Sequence, residues 1–439
     1  MTQGKNLSLK QKLEEVPVGK FHWILLLALG LGWAFDAMNS GLISFGLTPL
    51  TEDLNLTEGL TGILLSGWTA GMFAGGFLIG KLADKAGRKT SLLLSLVLFS
   101  VPAGMVAFAS HWELIFLLRF TAGMGSAGYM VVGSTLLSEY MPTKQRGRFV
   151  ALLESSWAFG WLLASYFGLI FIETVGWRGI MLVGFLPMLF LPFFLVKIPE
   201  SLRFLLSKGK IKRAREIGRD IDLKVGEEEA VNFRKTIKYS KLSTLFNPKY
   251  RKRTIMLWIH WFSIVLAYWG IFLWLPSVLA SEKGFGIAKS LQFAFLITLA
   301  QIPGYWSGAW LIEKVGRKWL LVSYMSLAGV ASFLFAGSTT TWQVLLFASL
   351  VSFFNLGAWG ITYAYTPELY PTLVRASGSG IANGVGRIGG IFGPMLAGFL
   401  VSQFGSFYPV FVVYAVFHFI SAIVVASLGI ETKGRPLED

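Results

Sequence analysis

Long apolar stretches separated by short polar connections dominate the pattern along this 439-residue chain. A helix needs about 20 mostly apolar residues to cross roughly 30 Å of hydrocarbon. Twelve stretches reach that length, at residues 23–49, 60–82, 90–109, 114–138, 149–172, 177–196, 254–280, 290–312, 319–337, 342–364, 376–402 and 407–429. Each is expected to be a helix, because backbone amides inside a bilayer must be hydrogen-bonded within their own segment. The pattern therefore predicts an all-α membrane protein with twelve spans.

A single long hydrophilic stretch divides the twelve spans into two groups of six. It covers residues 197–253 and is rich in Lys and Arg. We expect an N-terminal segment 1–22, a six-helix bundle 23–196, a basic and helical linker 197–253, a second six-helix bundle 254–429 and a tail 430–439. Residues 1–20 lack the apolar core of a signal peptide, so the first span is expected to remain in the mature protein.

The two groups carry the same charged motif, 229 positions apart. Asp84 and Arg88 recur as Glu313 and Arg317. Glu139 and Arg146 recur, at the same offset, as Glu368 and Arg375. A motif that keeps its internal spacing in both halves predicts a duplicated fold, and in a membrane chain it favours a transporter built from two related bundles.

Composition and charge fit this membrane setting. Only 14% of the residues are charged, whereas a soluble protein carries about 25%. Cysteine is absent, which excludes disulfides and thiolate metal sites. With both termini inside, the outer connections contain only Arg178, Lys283 and Lys289, and the spans contain Arg119 and Arg387, which leaves 34 of 39 Lys and Arg on the cytoplasmic side. The net charge of +15 is thus a topology signal, and attraction of the linker to anionic lipid is favoured over nucleic-acid binding.

The repeated charges fall at the predicted cytoplasmic ends of the spans. They can form ion-pair networks that hold neighbouring helices together in one state and break when those helices separate. An exposed pair contributes about 0–1 kcal/mol, so the bias would come from the whole network. The alternative is that these charges only keep short loops in solution. The predicted cytoplasmic gating network comprises Asp84, Arg88, Glu139, Arg146, Glu313, Arg317, Glu368 and Arg375.

Several motifs resemble those of a known transporter superfamily. The block from Gly80 to Lys89 resembles the signature loop of the major facilitator superfamily. The run from Arg119 to Gly125, the Arg146-Gly147-Arg148 run and the Pro199–Phe204 run are similar to its sugar-porter and organic-ion branches. The resemblance implies a major facilitator fold, with twelve transmembrane helices in two pseudo-symmetric six-helix bundles that work by alternating access.

Longer runs resemble the bacterial niacin transporters of the NiaP type. They are Gly32–Met38, Leu153–Trp161, Ser352–Gly360 and Gly386–Pro394. Two departures weaken a sugar-porter interpretation. Leu202 replaces the second proline of the sugar-porter motif, and the seventh span reads Trp258-Ile259-His260-Trp261-Phe262, without the glutamines that bind sugar hydroxyls.

Ionisable residues within the spans are the strongest candidates for function, since each costs at least about 2.5–3.5 kcal/mol near the bilayer centre. In sugar-porter relatives, an aspartate matching Asp36 pairs with an arginine matching Arg119 and titrates during transport. The resemblance therefore implies a proton-coupling pair of Asp36 and Arg119; the alternative is a static ion pair. Glu154 is a second buried acid, either another proton site, an orienting hydrogen-bond partner, or a residue that only contacts a neighbouring helix.

Arg387 is the candidate substrate-binding cation. It lies one helical turn beyond Asn383, the repeat equivalent of Glu154, so Asn383 and Arg387 share a face. Arginine stays charged and can hold a carboxylate through two parallel hydrogen bonds. In organic-anion relatives, an arginine at this place in the eleventh span helps to select anions. The alternative is that Arg387 pairs with Glu154 or Asp36.

Aromatic side chains complete the candidate pocket. The resemblance to synaptic-vesicle and organic-ion members of the superfamily implies that five positions line a central site. Flat rings suit a planar heteroaromatic substrate, although aromatic residues of membrane helices also serve in packing and interfacial belts. The five are Trp157, Tyr268, Trp269, Trp359 and Tyr363.

The sequence thus favours a secondary transporter of a small aromatic carboxylate, best nicotinate, with proton symport. No cofactor, metal or catalytic motif is expected, and the protein is not expected to be an enzyme. We expect it to work as a monomer in the lipid bilayer of a bacterial inner membrane, with both termini cytoplasmic. The alternatives are a carrier of other organic anions or aromatic compounds by uptake, exchange or export, a sugar–proton symporter, and a sensor that binds without translocating.

Overall fold

The computed structural model describes residues 12, 16–221, 223, 242–281, 284–371 and 374–434. Among these residues the secondary structure is helical, without strands. The expectations for residues 1–11, 13–15, 222, 224–241 and 435–439, and for Lys283, lie outside the described residues. The same holds for part of the linker that was predicted to be helical.

The first bundle contains six spans. Their helices are α1 (Lys20–Phe45), α3 (Glu58–Ala86), α4 (Arg88–Met105), α5 (Trp112–Tyr140), α6 (Thr143–Phe171) and a sixth, interrupted span formed by α7 (Gly176–Leu182), α8 (Leu186–Leu189) and α9 (Leu191–Lys197). The short helix α2 (Leu47–Asp53) follows α1. In the linker, α10 (Leu202–Ser207) and α11 (Ile211–Arg219) follow the bundle.

The second bundle repeats this arrangement. Its helices are α12 (Pro248–Ser281), α13 (Ile287–Leu299), α14 (Gln301–Val315), α15 (Arg317–Ala336), α16 (Thr341–Glu368), α17 (Arg375–Phe404) and α18 (Tyr408–Leu428). Among the described residues, ten helical segments are long and apolar enough to cross a membrane. Two further predicted spans correspond to the 29-residue helix α6 and to the consecutive helices α13 and α14.

Prolines explain where two spans depart from the predicted limits. The first span was predicted to continue to residue 49, but α1 ends at Phe45. The eighth was predicted to be continuous, but α13 ends at Leu299. Pro49 and Pro303 each lie four residues after these ends, and a proline lacks the N–H that would bond to the carbonyl four residues earlier. Each helix therefore ends at the carbonyl that the proline cannot satisfy.

Glycines allow close packing within the first bundle. A Cβ atom on Gly71 of α3 would overlap the carbonyl of Phe120 in α5, and one on Gly123 of α5 would overlap the carbonyl of Trp68. Small residues of this kind let membrane helices approach at backbone distance. The close contact fixes α3 against α5, and α5 carries Ser126 toward the centre of the protein.

The two bundles face each other through equivalent helix pairs. Helix α3 packs against α17, and α6 packs against α13 and α14. We call the side that carries α10 and α11 the linker side and the opposite side the far side. Hydrogen bonds from Ser44 and Thr48 of the first bundle to Phe272 and Ser277 of the second join the bundles near the far side.

Candidate functional site

Aromatic side chains from both bundles form a contiguous group at mid-depth. Trp157 Nε1 of α6 donates a 2.7 Å hydrogen bond to the Tyr268 hydroxyl of α12. The Trp157 ring meets the Trp269 ring edge-on at 6.0 Å, and the Tyr268 ring lies 5.2 Å from that of Trp359. Trp359 in turn lies 6.3 Å from Tyr363. The structure thus brings together all five aromatic residues predicted from the sequence.

Two further tryptophans belong to this aromatic group. Trp161 lies 6.0 Å from Tyr268, and Trp261 lies 5.1 Å from Tyr363, both in edge-on contacts. The sequence analysis did not assign them to the site. Helical spacing could have revealed both, since Trp161 is one turn beyond Trp157 and Trp261 is two turns before Tyr268.

Arg387 is buried at the centre and forms no ion pair with any residue that the structure describes. Its side chain is 7% exposed, and its Nη1 and Nη2 atoms lie 3.5 Å from Met72 Sδ and 3.8 Å from Met130 Sδ. Thioether sulfur is only a weak acceptor. Among the described residues, neither Asp36 nor Glu154 lies within ion-pair distance of Arg387, although both interact with its charge at longer range. The guanidinium is therefore free to take a carboxylate from a ligand.

Asn383 lies one turn from Arg387 on α17. Its Nδ2 donates a 3.1 Å hydrogen bond to the Tyr363 hydroxyl of α16. This bond connects the cation-bearing face of α17 with the aromatic group, as the shared face of Asn383 and Arg387 predicted.

Asp36 is fully buried in α1 and bonds to a serine. Its Oδ2 accepts a 3.0 Å hydrogen bond from Ser126 Oγ of α5, while Oδ1 has no partner among the described residues. Ser126 carries no charge, and nothing in the sequence singled it out. Because one oxygen of this buried carboxyl makes no hydrogen bond to the described residues, that oxygen is available to bind and release a proton.

The expected ion pair of Asp36 and Arg119 is not formed. Arg119 lies over the Trp68 ring at 5.4 Å, and its Nε and Nη2 atoms have no hydrogen-bond partner among the described residues. Arg119 is seven residues before Ser126 on α5, which corresponds to about 10 Å along the helix axis. Because Ser126 is the residue beside Asp36, the two-turn offset separates Arg119 from the carboxyl.

Glu154 lies in the same central region, on α6. Its side chain is buried, and its carboxyl is close enough for electrostatic interaction with Arg387, Tyr305 and Tyr363. Among the described residues it makes no hydrogen bond, so the orienting bond that the sequence left open is not formed. Its position joins α6 to the site built by α14, α16 and α17.

The repeated charges form equivalent ion-pair networks on the linker side of each bundle. Arg88 pairs with Asp84 at 3.3 Å and with Glu139 at 3.6 Å. Arg317 pairs with Glu313 at 2.9 Å and with Glu368 at 3.1 Å. Each arginine therefore ties three consecutive spans together within its own bundle.

The second arginines of the motif contact main-chain carbonyls. Arg146 Nη2 donates to the Met141 carbonyl at 3.3 Å. Arg375 Nε donates to the carbonyls of Pro367 at 3.0 Å and Tyr370 at 3.2 Å. They brace the turns that follow α5 and α16.

The sequence analysis missed a second pair of acids in these networks. Glu200 Oε1 accepts from the backbone N–H of Arg88 at 2.8 Å, and Glu431 Oε1 accepts from the backbone N–H of Arg317 at 2.9 Å. The hydroxyls of the next residues, Ser201 and Thr432, donate to Glu139 and Glu368. Each acid thus caps the N-terminus of a span, where the helix dipole favours negative charge.

Backbone hydrogen bonds hold the pKa of Glu431 below its usual range. Partial burial raises this pKa, but bonds from the N–H groups of Lys433, Arg317, Thr432 and Lys318 outweigh burial. The carboxylate therefore stays ionised at the N-terminus of α15. Glu200 and Glu431 are 231 positions apart, so the search at an offset of 229 did not relate them.

Two six-helix bundles around a central cation, two buried carboxyls and an aromatic group define a membrane transporter of the major facilitator type. The profile of the family described as sugar (and other) transporter matches residues 30–439. The chain belongs to this family, and it is a multi-pass membrane transporter rather than an enzyme.

Two curated bacterial proteins are similar over nearly their whole length. The niacin transporter NiaP of Acinetobacter baylyi is 37% identical over 445 residues, covering 98% of this chain and 99% of its own. The putative niacin/nicotinamide transporter NiaP of Bacillus subtilis is 40% identical over 415 residues, covering 94% and 97%. These matches confirm the resemblance to niacin transporters.

A solved structure confirms the expected fold. The partially occluded, inward-open xylose transporter XylE from E. coli superposes with a TM-score of 0.79 and covers 95% of this chain and 100% of its own. The sequences are 18% identical, so the similarity concerns the architecture.

Proposed function

We propose that this protein is a secondary transporter of a small aromatic carboxylate, with nicotinate as the substrate. The observation that carries this proposal is Arg387, a buried guanidinium whose hydrogen-bond contacts among the described residues are two thioether sulfurs. The two bacterial relatives named as niacin transporters support the choice of nicotinate.

The site offers complementary groups for both parts of such a substrate. Arg387 would hold the carboxylate through parallel hydrogen bonds. The rings of Trp157, Tyr268, Trp269 and Trp359 would contact the heteroaromatic ring, each stacked or edge-on pair contributing about 0.5–1.5 kcal/mol beyond area burial. Tyr363 and Asn383, bonded to each other, would form the wall on the linker side.

Proton symport is the proposed mode of coupling, with Asp36 as the proton carrier. A nicotinate anion that enters with one proton moves no net charge. Asp36 has one oxygen bonded to Ser126 and interacts with the charge of Arg387, so substrate at Arg387 would change the electrostatic field at this carboxyl. Glu154 interacts with the same cation and is the alternative proton site. In this structure Arg119 lies too far along α5 to serve as the partner of Asp36.

We further propose that the linker side faces the cytoplasm of a bacterial cell, with both termini on that side and the monomer as the functional unit. The excess of Lys and Arg in the segments on the linker side supports this orientation, because cytoplasmic loops of membrane proteins are rich in these residues. The hydrogen bonds of Ser44 and Thr48 to the second bundle then close the outer side in the present conformation. The ion-pair networks of Arg88 and Arg317 would act as the cytoplasmic gate: they would hold three spans of each bundle together in one state and break when those helices separate.

Uptake of radiolabelled nicotinate into proteoliposomes tests the proposal. We expect uptake that an inward proton gradient stimulates and that nicotinamide inhibits poorly, because nicotinamide offers Arg387 no carboxylate. Arg387→Ala should lower uptake at least tenfold, in line with the loss of a charge-assisted hydrogen-bond pair, on the order of 1.5–3 kcal/mol. Met130→Leu, a volume-conserving change beside Arg387, is the matched control and should retain uptake.

Other results would redirect the proposal. Equal handling of nicotinate and nicotinamide would favour a carrier of other aromatic compounds. Binding without uptake would identify a sensor, and uptake that ignores the proton gradient would identify facilitated diffusion or exchange.

A further inference from the structure

The eighth span is broken at its centre, and Gln301 begins the second half. Helix α13 ends at Leu299 and α14 starts at Gln301, because Pro303 cannot bond to the Leu299 carbonyl. Gln301 is 14 residues from Ile287 and 14 from Val315, the two ends of the span. At about 1.5 Å per residue, the amide lies roughly 20 Å from either end, at the depth of the bilayer centre.

Gln301 and Tyr305 carry polar atoms that make no hydrogen bond within the described part of the chain. The Gln301 side chain is 0% exposed, and neither its Nε2 nor its Oε1 has a hydrogen-bond partner among the described residues. The hydroxyl of Tyr305, 4% exposed, is likewise without a partner there. Buried polar side chains are normally bonded, so both groups remain available to a hydrogen-bonding ligand.

Tyr305 lies beside the central site, and Gln301 precedes it by one helical turn. Gln301 and Tyr305 are four residues apart and share a face of α14. The Tyr305 ring packs directly against Gly360 of α16, since a Cβ atom added to Gly360 would lie only 3.2 Å from Tyr305 Cδ1. The Tyr305 hydroxyl interacts electrostatically with Glu154 and Tyr363, which also interact with Arg387. The face of α14 therefore closes the site on the side of Glu154.

We propose that Gln301 and Tyr305 recognise a hydrogen-bond acceptor in the ring of the substrate while Arg387 holds its carboxylate. This assignment rests on the proposed function. An amide N–H and a phenol O–H are donors, and a pyridine nitrogen presents one in-plane lone pair as an acceptor. A site whose buried donors need that acceptor rejects an analogue that lacks it, because the donors then stay unpaired.

Benzoate provides the discriminating probe, since it keeps the carboxylate and the flat ring of nicotinate but has no ring nitrogen. The measurement is kcat/KM for uptake of each compound into proteoliposomes. Wild-type protein should prefer nicotinate by at least about tenfold, in keeping with the loss of one or two hydrogen bonds. Gln301→Leu and Tyr305→Phe should each move the nicotinate-to-benzoate ratio toward one. Thr298→Val should leave the ratio unchanged, because the Thr298 hydroxyl already bonds to the Ala294 carbonyl of its own helix.

The outcomes separate this assignment from the proposed function. Wild-type liposomes that take up neither compound would refute the function and the assignment with it. Three outcomes would overturn the assignment alone. The wild type could take up nicotinate with a nicotinate-to-benzoate ratio near one, or both variants could keep the wild-type ratio. Both variants could also lose uptake of the two substrates equally. Tyr305→Phe removes a single hydroxyl that makes no bond to any residue the structure describes, so it remains informative where Gln301→Leu fails to fold.

Discussion

Ser44 and Phe272 are joined across the two bundles by a hydrogen bond that depends on a proline. Ser44 Oγ of α1 lies within hydrogen-bond distance of two carbonyls of α12, that of Phe272 at 2.9 Å and that of Leu273 at 2.8 Å. Pro276, four residues later, has no N–H for that carbonyl. The arrangement recurs where Thr69 Oγ1 of α3 lies 2.9 Å from the Gly390 carbonyl, four residues before Pro394 of α17, and 3.0 Å from the Ser66 carbonyl of its own helix. Two prolines of the second bundle thus present carbonyls that hydroxyls of the first bundle satisfy.

Removing both hydroxyls should favour opening of the far side. In the double variant Ser44→Ala and Thr69→Val, two buried carbonyls lose their partners in the present conformation but can reach water once the bundles separate. With about 0.5–1.5 kcal/mol per bond, the shift is roughly 1–3 kcal/mol, or about five- to hundredfold in population. The chain has no cysteine, so Ala280→Cys, beside Ser44 and Thr48 at this seam, gives a clean reporter. We expect faster labelling by a membrane-impermeant maleimide.

Matched hydroxyl deletions control for this experiment. Ser134 Oγ and Thr121 Oγ1 bond to carbonyls of their own helix, at 2.8 Å to Met130 and at 2.9 Å to Leu117. Ser134→Ala with Thr121→Val should therefore leave the labelling rate of Ala280→Cys unchanged. Equal labelling rates in the two double variants would show that the proline-linked bonds do not hold the far side closed.

Arg317 should be the most destabilising single deletion in the charged network of the second bundle. Its side chain pairs with Glu313 and Glu368 and is only 13% exposed. Removing it leaves two carboxylates of α14 and α16 unpaired near one another. We expect Arg317→Ala to lower the free energy of unfolding by about 1.5–3 kcal/mol, the range for hydrogen bonds to charged groups.

Thermal unfolding in detergent measures this effect, with Lys318→Ala as the control. The Lys318 ammonium lies over the Trp319 ring at 4.9 Å and takes no part in the Glu313–Glu368 network. A melting temperature of Arg317→Ala that equals that of Lys318→Ala would mean that the charges only keep the loops in solution.

Glu431 predicts a defined pH dependence of stability. Its pKa in the folded protein lies below the usual value, so it stabilises the fold at pH above the unfolded pKa of about 4.3. That contribution is lost as the pH falls through the folded pKa. Glu431→Gln should therefore melt at a lower temperature than the wild type at pH 7, and the difference should shrink steadily below about pH 4.

The exposed Glu216 of α11 is the control for that titration. The melting temperature of Glu216→Gln should equal that of the wild type both at pH 7 and below about pH 4. A difference between Glu431→Gln and the wild type that stays constant from pH 7 to below pH 4 would contradict a role of the ionised carboxylate at the N-terminus of α15.

The sequence predicted the contacts of the charged motif that recurs in both halves. It missed contacts that depend on how far one helix is displaced along its neighbour. The pairs of Arg88 with Glu139 and of Arg317 with Glu368 follow from charges that keep their spacing in both halves. The missed pairing of Asp36 with Ser126 depends on how far α5 is displaced along α1. Arg119 was paired with Asp36 because the matching residues pair in sugar-porter relatives, and that resemblance does not fix the register of α5 against α1 in this chain.

Uncharged groups account for the other omissions in the candidate site. Met72 and Met130 touch Arg387, yet methionine in an apolar span has no pattern that separates a ligand-facing residue from a core residue. Gln301 was visible as a polar residue two positions before Pro303. Only the structure shows the break at Leu299 and an amide that has no hydrogen-bond partner among the described residues.

Asp36 provides the sharpest test of proton coupling. A pH gradient of one unit is equivalent to about 1.4 kcal/mol and supports roughly tenfold accumulation of a substrate coupled to one proton. Asp36→Asn keeps a polar side chain beside Ser126 but cannot carry a proton. We expect it to lose gradient-driven accumulation of nicotinate while retaining exchange of internal for external nicotinate, since exchange needs no change in protonation. Accumulation that persists in Asp36→Asn and disappears in Glu154→Gln would move the proton site to α6, where Glu154 interacts with the same arginine.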